Sequence, residues 1–197
     1  MATQQQRSDS TRALLLIEFR KSLLNKGLDK TTTQGVLDAT GLSKGALYHH
    51  FQSKTDILEA IYSEESRKTI EEAFRKSDPS KGPLFQLKSA YLFWTEEVRK
   101  PSVSKILFEV GPKALGPEKA RSIEDSHSGT LIETLLKQAI FDGELQEVDL
   151  KLLALFLNAL VEQAALHQLR TGTNSQPMLD RSIQALFDSF RPESALG

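Results

Sequence analysis

The stretch Thr31–Lys54, TTTQGVLDATGLSKGALYHHFQSK, decides how this chain is read. Thr32 or Thr33 can cap a short helix, because a threonine oxygen accepts a hydrogen bond from a free N–H of the first turn. That helix is expected over residues 34–40, with Val36, Leu37 and Thr40 turned inward. Gly41 then stops it, since a residue without a Cβ enters the left-handed region freely. Leu42 fills the corner, and Ser43 can cap a second helix over residues 44–50. Two short helices joined by a glycine-containing turn are the layout of a helix-turn-helix. In such a unit the second helix lies in the DNA major groove and offers its N-terminal residues to base edges.

The run Gly41-Leu42-Ser43-Lys44-Gly45-Ala46-Leu47-Tyr48-His49-His50-Phe51, with Ser53 and Lys54 behind it, resembles the signature of TetR-type (tetracycline-repressor-like) transcriptional regulators. The likeness spans residues 17–58, roughly a fifth of the chain, and departs from the family pattern at two places. Leu37 stands where alanine is usual, which would set the first helix slightly farther from its neighbour. Ala46 stands where threonine is common, so one polar contact is missing. The resemblance implies a DNA-binding set. Thr32, Thr33, Tyr48, His49 and Lys54 would hold phosphates, while Lys44, Gly45 and Ala46 face base edges. Ser43, whose cap opens the recognition helix, belongs to the same set. Leu47 and Phe51, spaced i and i+4, are core residues rather than contacts. Gly45 costs about 1 kcal/mol inside a helix relative to alanine. It is either neutral drift or a place where the backbone approaches DNA closely, and the resemblance favours approach. His49 and His50 do not suggest a metal, because adjacent helical residues point about 100° apart and no carboxylate or cysteine is near them in sequence. No metal and no cofactor is expected.

The charge distribution agrees with a DNA-binding head. The whole chain of 197 residues carries a net charge of −1. Residues 1–54 hold eight Lys and Arg against four Asp and Glu, which makes the head +4 and the remainder −5. A basic head on an acidic body is expected if only the head meets phosphate. With 39% hydrophobic and 26% charged residues the composition is that of a globular chain. The chain has no cysteine, which excludes disulfides and thiolate metal sites and fits a reducing cytoplasm. No apolar stretch follows a basic segment at the N-terminus, so no signal peptide is read there.

The fold class expected is all-α: a three-helix helix-turn-helix head, residues 1–54, joined to a larger helical bundle, residues 55–197, for ligand binding and dimerisation. Residues 1–9 are polar and read as frayed, with Arg7 either a DNA-reaching arm or part of a loose tail. Helices are then expected over 10–25, 34–40 and 44–50. So small a core is marginal alone and should lean on the next helix. That longer helix starts at Ser53, where Ser53-x-x-Asp56 resembles a capping box. Lys54 in its first turn would add a charge to a phosphate-binding helix start. The helix runs to about residue 76 and is the natural lever between head and body. Residues 78–83 are a loop. Further helices are expected over 83–99, after Pro101, and over 117–141, 149–170 and 177–190. Gly111-Pro112 and Gly116-Pro117 mark a loop, and residues 111–116 resemble a motif in the regulatory domain of some TetR-type proteins.

The segment 149–170 is apolar nearly all round and so should be buried on all sides. A bilayer needs about 20 apolar residues, whereas the charge-free run, Leu152–Val161, is shorter. The segment is therefore read as packed between the chain's own core and a second copy. The resemblance implies a homodimer through 149–170 and 177–190, with no membrane partner. Aromatic residues gather in the body at Phe85, Phe93, Trp94, Phe108, Phe141 and Phe156, as plain core or as a ligand cavity. Asn158 and Glu162, at i and i+4, share a face. Glu162 either pairs with a cation, lies across the dimer interface, or joins Asn158, Phe93, Trp94 and Phe108 in binding a small, largely apolar effector. The reading that results is a cytoplasmic, ligand-responsive transcriptional regulator, most often a repressor in this family, acting on a double-stranded palindromic operator. Catalytic residues are not expected, because the sequence holds no nucleophile elbow, no HExxH, no phosphate loop and no cysteine. A helical adaptor with a vestigial helix-turn-helix is the other reading, and the intact Ser-Lys-Gly-x-Leu-Tyr segment weighs against it.

Overall fold

Helix starts follow the capping chemistry of the sequence. In a computed structural model that describes residues 3–192, α1 (Gln4–Lys26) opens at Thr3, whose side chain accepts from Gln6 N while Gln6 reaches back to Thr3 N. The helix therefore starts well before residue 10, and Thr3 to Asp9 are ordered by a capping box rather than frayed. Thr32 caps α2 (Thr33–Thr40), and Ser43 caps α3 (Lys44–His50). Between them Gly41 sits at φ 68° and closes α2 through a bond from its N–H to Leu37 O. At the start of α4 (Lys54–Lys76) the Ser53 hydroxyl oxygen accepts from Asp56 N, and the Asp56 carboxylate accepts from Gln52 N. A 3₁₀ turn over Pro79–Lys81 leads into α5 (Pro83–Glu97) and then α6 (Pro101–Ser104). After α7 (Gly111–Leu115) come α8 (Pro117–Phe141), α9 (Leu150–Thr171), capped by Asp149, and α10 (Gln176–Asp188). The described residues contain no strand, so the all-α class holds.

Gly111-Pro112 is not a loop. Residues Lys105–Val110 form a π turn that carries the chain from α6 directly into α7. A proline ring inside an α-helix collides with the carbonyl four residues earlier, here that of Phe108. The wider π turn holds Phe108 and is the kind of local adjustment that accommodates such a residue.

Packing divides the chain into two units. The first runs up to Glu65 and takes in Lys105–Ser122; the second is Ser66–Ser104 with the residues from Ile123 onward. The first boundary thus lies beyond residue 54 and includes a distant segment. In the first unit Leu15, Phe19, Leu23, Val36, Leu47, Phe51, Ile57 and Tyr62 are buried, together with Ile106, Leu107 and Val110 of the π turn. Gly111 belongs to this core: a Cβ placed on it would lie 2.1 Å from two carbons of the Tyr62 ring. Arg20 clamps α1 to α4 through a two-pronged ion pair with Glu65, at 2.8 and 3.0 Å.

The second unit is built on Leu87 and Tyr91 of α5, Ile132 and Leu136 of α8, Leu153, Leu157 and Val161 of α9, and Ile183 and Phe187 of α10. The buried Glu97 binds the ammonium groups of Lys76, at 2.6 Å, and Lys100. Burial works against its charge, but the two lysines outweigh it and hold the carboxyl below its usual range. Only one stripe of α9 is covered within the chain: Leu153, Leu157, Val161, Ala165 and Gln168. Leu155 is 53% exposed and Phe156 47%, with Leu152 and Leu160 also exposed, so the all-round burial expected is not met by a single chain. By length and composition alone this helix could also cross a membrane, a test that a core helix of a soluble protein passes equally.

Candidate nucleic-acid interface

The sequence-expected DNA set lies in the first unit, on α2, α3 and the first turn of α4. Thr32, Ser43, Lys44, Gly45, Tyr48 and His49 are exposed, while Thr33, Ala46 and Lys54 are half-buried. Of the two candidate caps for α2, Thr32 fills the role: its Oγ1 accepts from Gly35 N at 3.1 Å. Ser43 Oγ accepts from Ala46 N at 3.1 Å, which fixes the start of the recognition helix. Leu47 and Phe51 anchor that helix from inside. Lys44 Nζ lies 5.8 Å from the Tyr48 ring centroid, so cation and phenol share one face, as their i, i+4 spacing requires.

Gly45 meets nothing that demands glycine from within the protein. A Cβ there would find only Ser43 Oγ, at the ordinary distance of 3.8 Å. Any steric demand at this position comes from outside the chain. Lys54 is already engaged: its ammonium donates to Leu28 O at 3.0 Å and ties α4 to the loop between α1 and α2. Two more lysines reach the end of α1 and this loop from far along the sequence. Lys105 Nζ donates to Leu24 O at 2.8 Å, and Lys113 Nζ to the Asp29 carboxylate at 2.9 and 3.1 Å. The hydrogen bond and charge of Lys113 hold Asp29 below its ordinary range. Thr31, fully buried, closes the loop by donating to Gly27 O at 2.8 Å. No sequence pattern points to Lys105 or Lys113, because their partners lie more than 80 residues away.

The residues expected around an effector fall in two places. Phe93 and Trp94 on α5 and Asn158 and Glu162 on α9 are half-buried in the second unit, whereas Phe108 sits in the π turn of the first. Tyr91 donates to Asn158 Oδ1 at 2.9 Å and joins α5 to α9. The wider aromatic cluster does not form: Phe85, Phe141 and Phe156 are exposed, Phe141 at 85%. Among the described residues no group of three or more His, Asp or Glu is placed to hold a metal ion.

Both parts of the chain match known families. Residues 20–61 match the bacterial regulatory proteins of the tetR family, and residues 86–188 match the tetracyclin repressor-like C-terminal domain. The HTH-type transcriptional repressor KstR2 of Mycolicibacterium smegmatis is 21% identical over 145 residues, 68% of this chain and 67% of that protein. The nucleoid occlusion factor SlmA of Marinobacter nauticus is 26% identical over 121 residues, 60% of each chain. Among solved structures, a TetR-family transcriptional regulator from Pectobacterium atrosepticum aligns with a TM-score of 0.71 at 23% identity, covering 94% of both chains. RolR, solved with its ligand resorcinol, aligns with a TM-score of 0.68 at 14% identity, covering 98% of this chain and 93% of its own. With a family match at each end and the fold shared along nearly the whole length, the chain belongs to the TetR family of transcriptional regulators.

Proposed function

We propose that the protein is a cytoplasmic, ligand-responsive repressor that binds a palindromic operator as a homodimer. The observation that carries this reading is the capped recognition helix with Lys44 and Tyr48 side by side on its exposed face. Lys44, Gly45 and Ala46 face base edges, where an ammonium can donate to guanine and a methyl can touch thymine. Thr32, Thr33, Ser43, Tyr48, His49 and Lys54 line the phosphate side. Lys54 has three donors and spends one on Leu28 O, which leaves two for a phosphate. DNA binding is assigned to the head at residues 1–54, which lies within the first packing unit, and ligand binding and dimerisation to residues 55–197.

The exposed Leu152, Leu155, Phe156 and Leu160 of α9, with Met178 of α10, support a dimer through these two helices. Two recognition helices then meet two half-sites about 10 bp apart, or somewhat more. Phe93, Trp94, Asn158 and Glu162 in the second unit are the proposed effector contacts. The effector is proposed to be a small, largely apolar molecule, and the resorcinol held by RolR, a benzene ring with two hydroxyls, supports its small size. To change operator affinity about 100-fold, that molecule must prefer one state of the dimer by about 2.7 kcal/mol. Selection of bound duplexes from random DNA tests the reading. The expected product is a two-fold symmetric sequence, and recovery of no enriched symmetric sequence counts against it.

A further inference from the structure

We propose that Arg12, on α1 and outside the helix-turn-helix, is a DNA-backbone contact held ready by the residue that ends the recognition helix. The proposal rests on the DNA-binding reading above and adds a residue to it. The Arg12 guanidinium carbon lies 5.2 Å from the ring centroid of Phe51, the C-cap of α3. Phe51 is buried, whereas Arg12 is exposed. Arg12 makes no hydrogen bond or ion pair with any other described residue. A ring can cover one face of a guanidinium and leave its in-plane N–H donors free. Holding the side chain in advance reduces the ordering cost when a phosphate arrives. The early start of α1 matters here, because it sets Arg12 in the interior of a formed helix rather than in its first turn.

The surrounding charges favour an anion. His50 of α3 lies beside His49 and Arg12, and Asp9 lies one turn before Arg12 on α1. Asp9 already accepts from Gln5 within its own helix, at 2.9 Å. Burial, then the neighbouring His49 and Arg12, keep His50 below its ordinary range, so the free protein carries little positive charge on it at neutral pH. Arg12 is thus a fixed cation beside the C-terminal end of α3, as Lys44 is at its start. Lys44 and Phe51 are seven residues apart in sequence, about 10 Å along a helix, which is roughly three base-pair steps of rise along the DNA axis.

The test compares Arg12→Met and Arg12→Lys with the wild type on a labelled duplex that the wild type selects from random sequence. Affinity is read by fluorescence anisotropy from about 50 to about 200 mM salt. Arg12→Met keeps an apolar stem on Phe51 and removes the charge. It is expected to weaken binding about 5- to 10-fold on every duplex alike and to lower the salt slope by about two units, one for each protomer of the dimer. Its melting temperature should stay at the wild-type value, and Arg12→Lys should recover the slope. A wild-type slope in Arg12→Met, whether affinity falls or not, overturns the proposal and leaves Arg12 a packing residue; so does failure of Arg12→Lys to recover the slope. Wild-type protein that binds no duplex in a salt-dependent way defeats the DNA-binding reading itself, a distinguishable result.

Discussion

At the scale of single residues, two positions on the recognition helix separate fold from function. Gly45 is tolerated but not required by its own protein. Gly45→Ala should therefore raise stability by about 0.5–1 kcal/mol through helix propensity. The same methyl should reduce DNA affinity if the backbone approaches the duplex there. Opposite movement of melting temperature and affinity is the expected signature, and unchanged affinity would make Gly45 neutral drift. Lys44→Ala should change which sequences are preferred, measured by repeating the selection with the variant. The caps and the Gly41 turn are legible in the sequence because their bonds span three or four residues. The contacts of Lys54, Arg12 and Lys105 are not, since their partners stand 26, 39 and 81 residues away and no periodicity encodes such distances.

Elements are legible where apolar spacing or caps mark them, and misleading where a local signal points the other way. The start of α1 resembles a tail because residues 3–10 are polar. Yet Thr3-x-x-Gln6 is a capping-box pattern, and it is what the structure uses. The run from Pro101 to Leu115 reads as a short helix and a loop because Gly-Pro usually ends a helix. The π turn lets the helix pass through instead. Gly111→Ala would place a methyl inside the Tyr62 ring's volume, and Tyr62 is only 2% exposed and cannot swing aside freely. Overpacking of this kind should cost about 1–3 kcal/mol, measured as a lower urea midpoint with unchanged slope.

For the whole molecule, the main unmet demand is on α9. Phe156→Glu and Leu155→Glu each put a charge on the face left open. They should yield a 22 kDa monomer in sedimentation that keeps its helical content and loses operator binding. A wild type that sediments as a monomer at micromolar concentration would remove the dimer. Glu97 gives the molecule an acid sensitivity of known sign. Its carboxyl is depressed in the folded state, so its contribution is present above the unfolded carboxylate range and is lost as pH falls through the lower folded value. Glu97→Gln should lower stability at neutral pH by about 1–3 kcal/mol and flatten the fall of the urea midpoint below pH about 5. The fit of Gly111 against Tyr62 also bears on how such regulators can be recombined. A hybrid made by exchanging only the first 54 residues with a relative would bring in an α1 end and a following loop that never met Lys105 or Lys113. A hybrid that exchanges residues 1–65 and 105–122 together keeps every one of those partners, so two segments joined at three junctions, not one segment, make up the portable module.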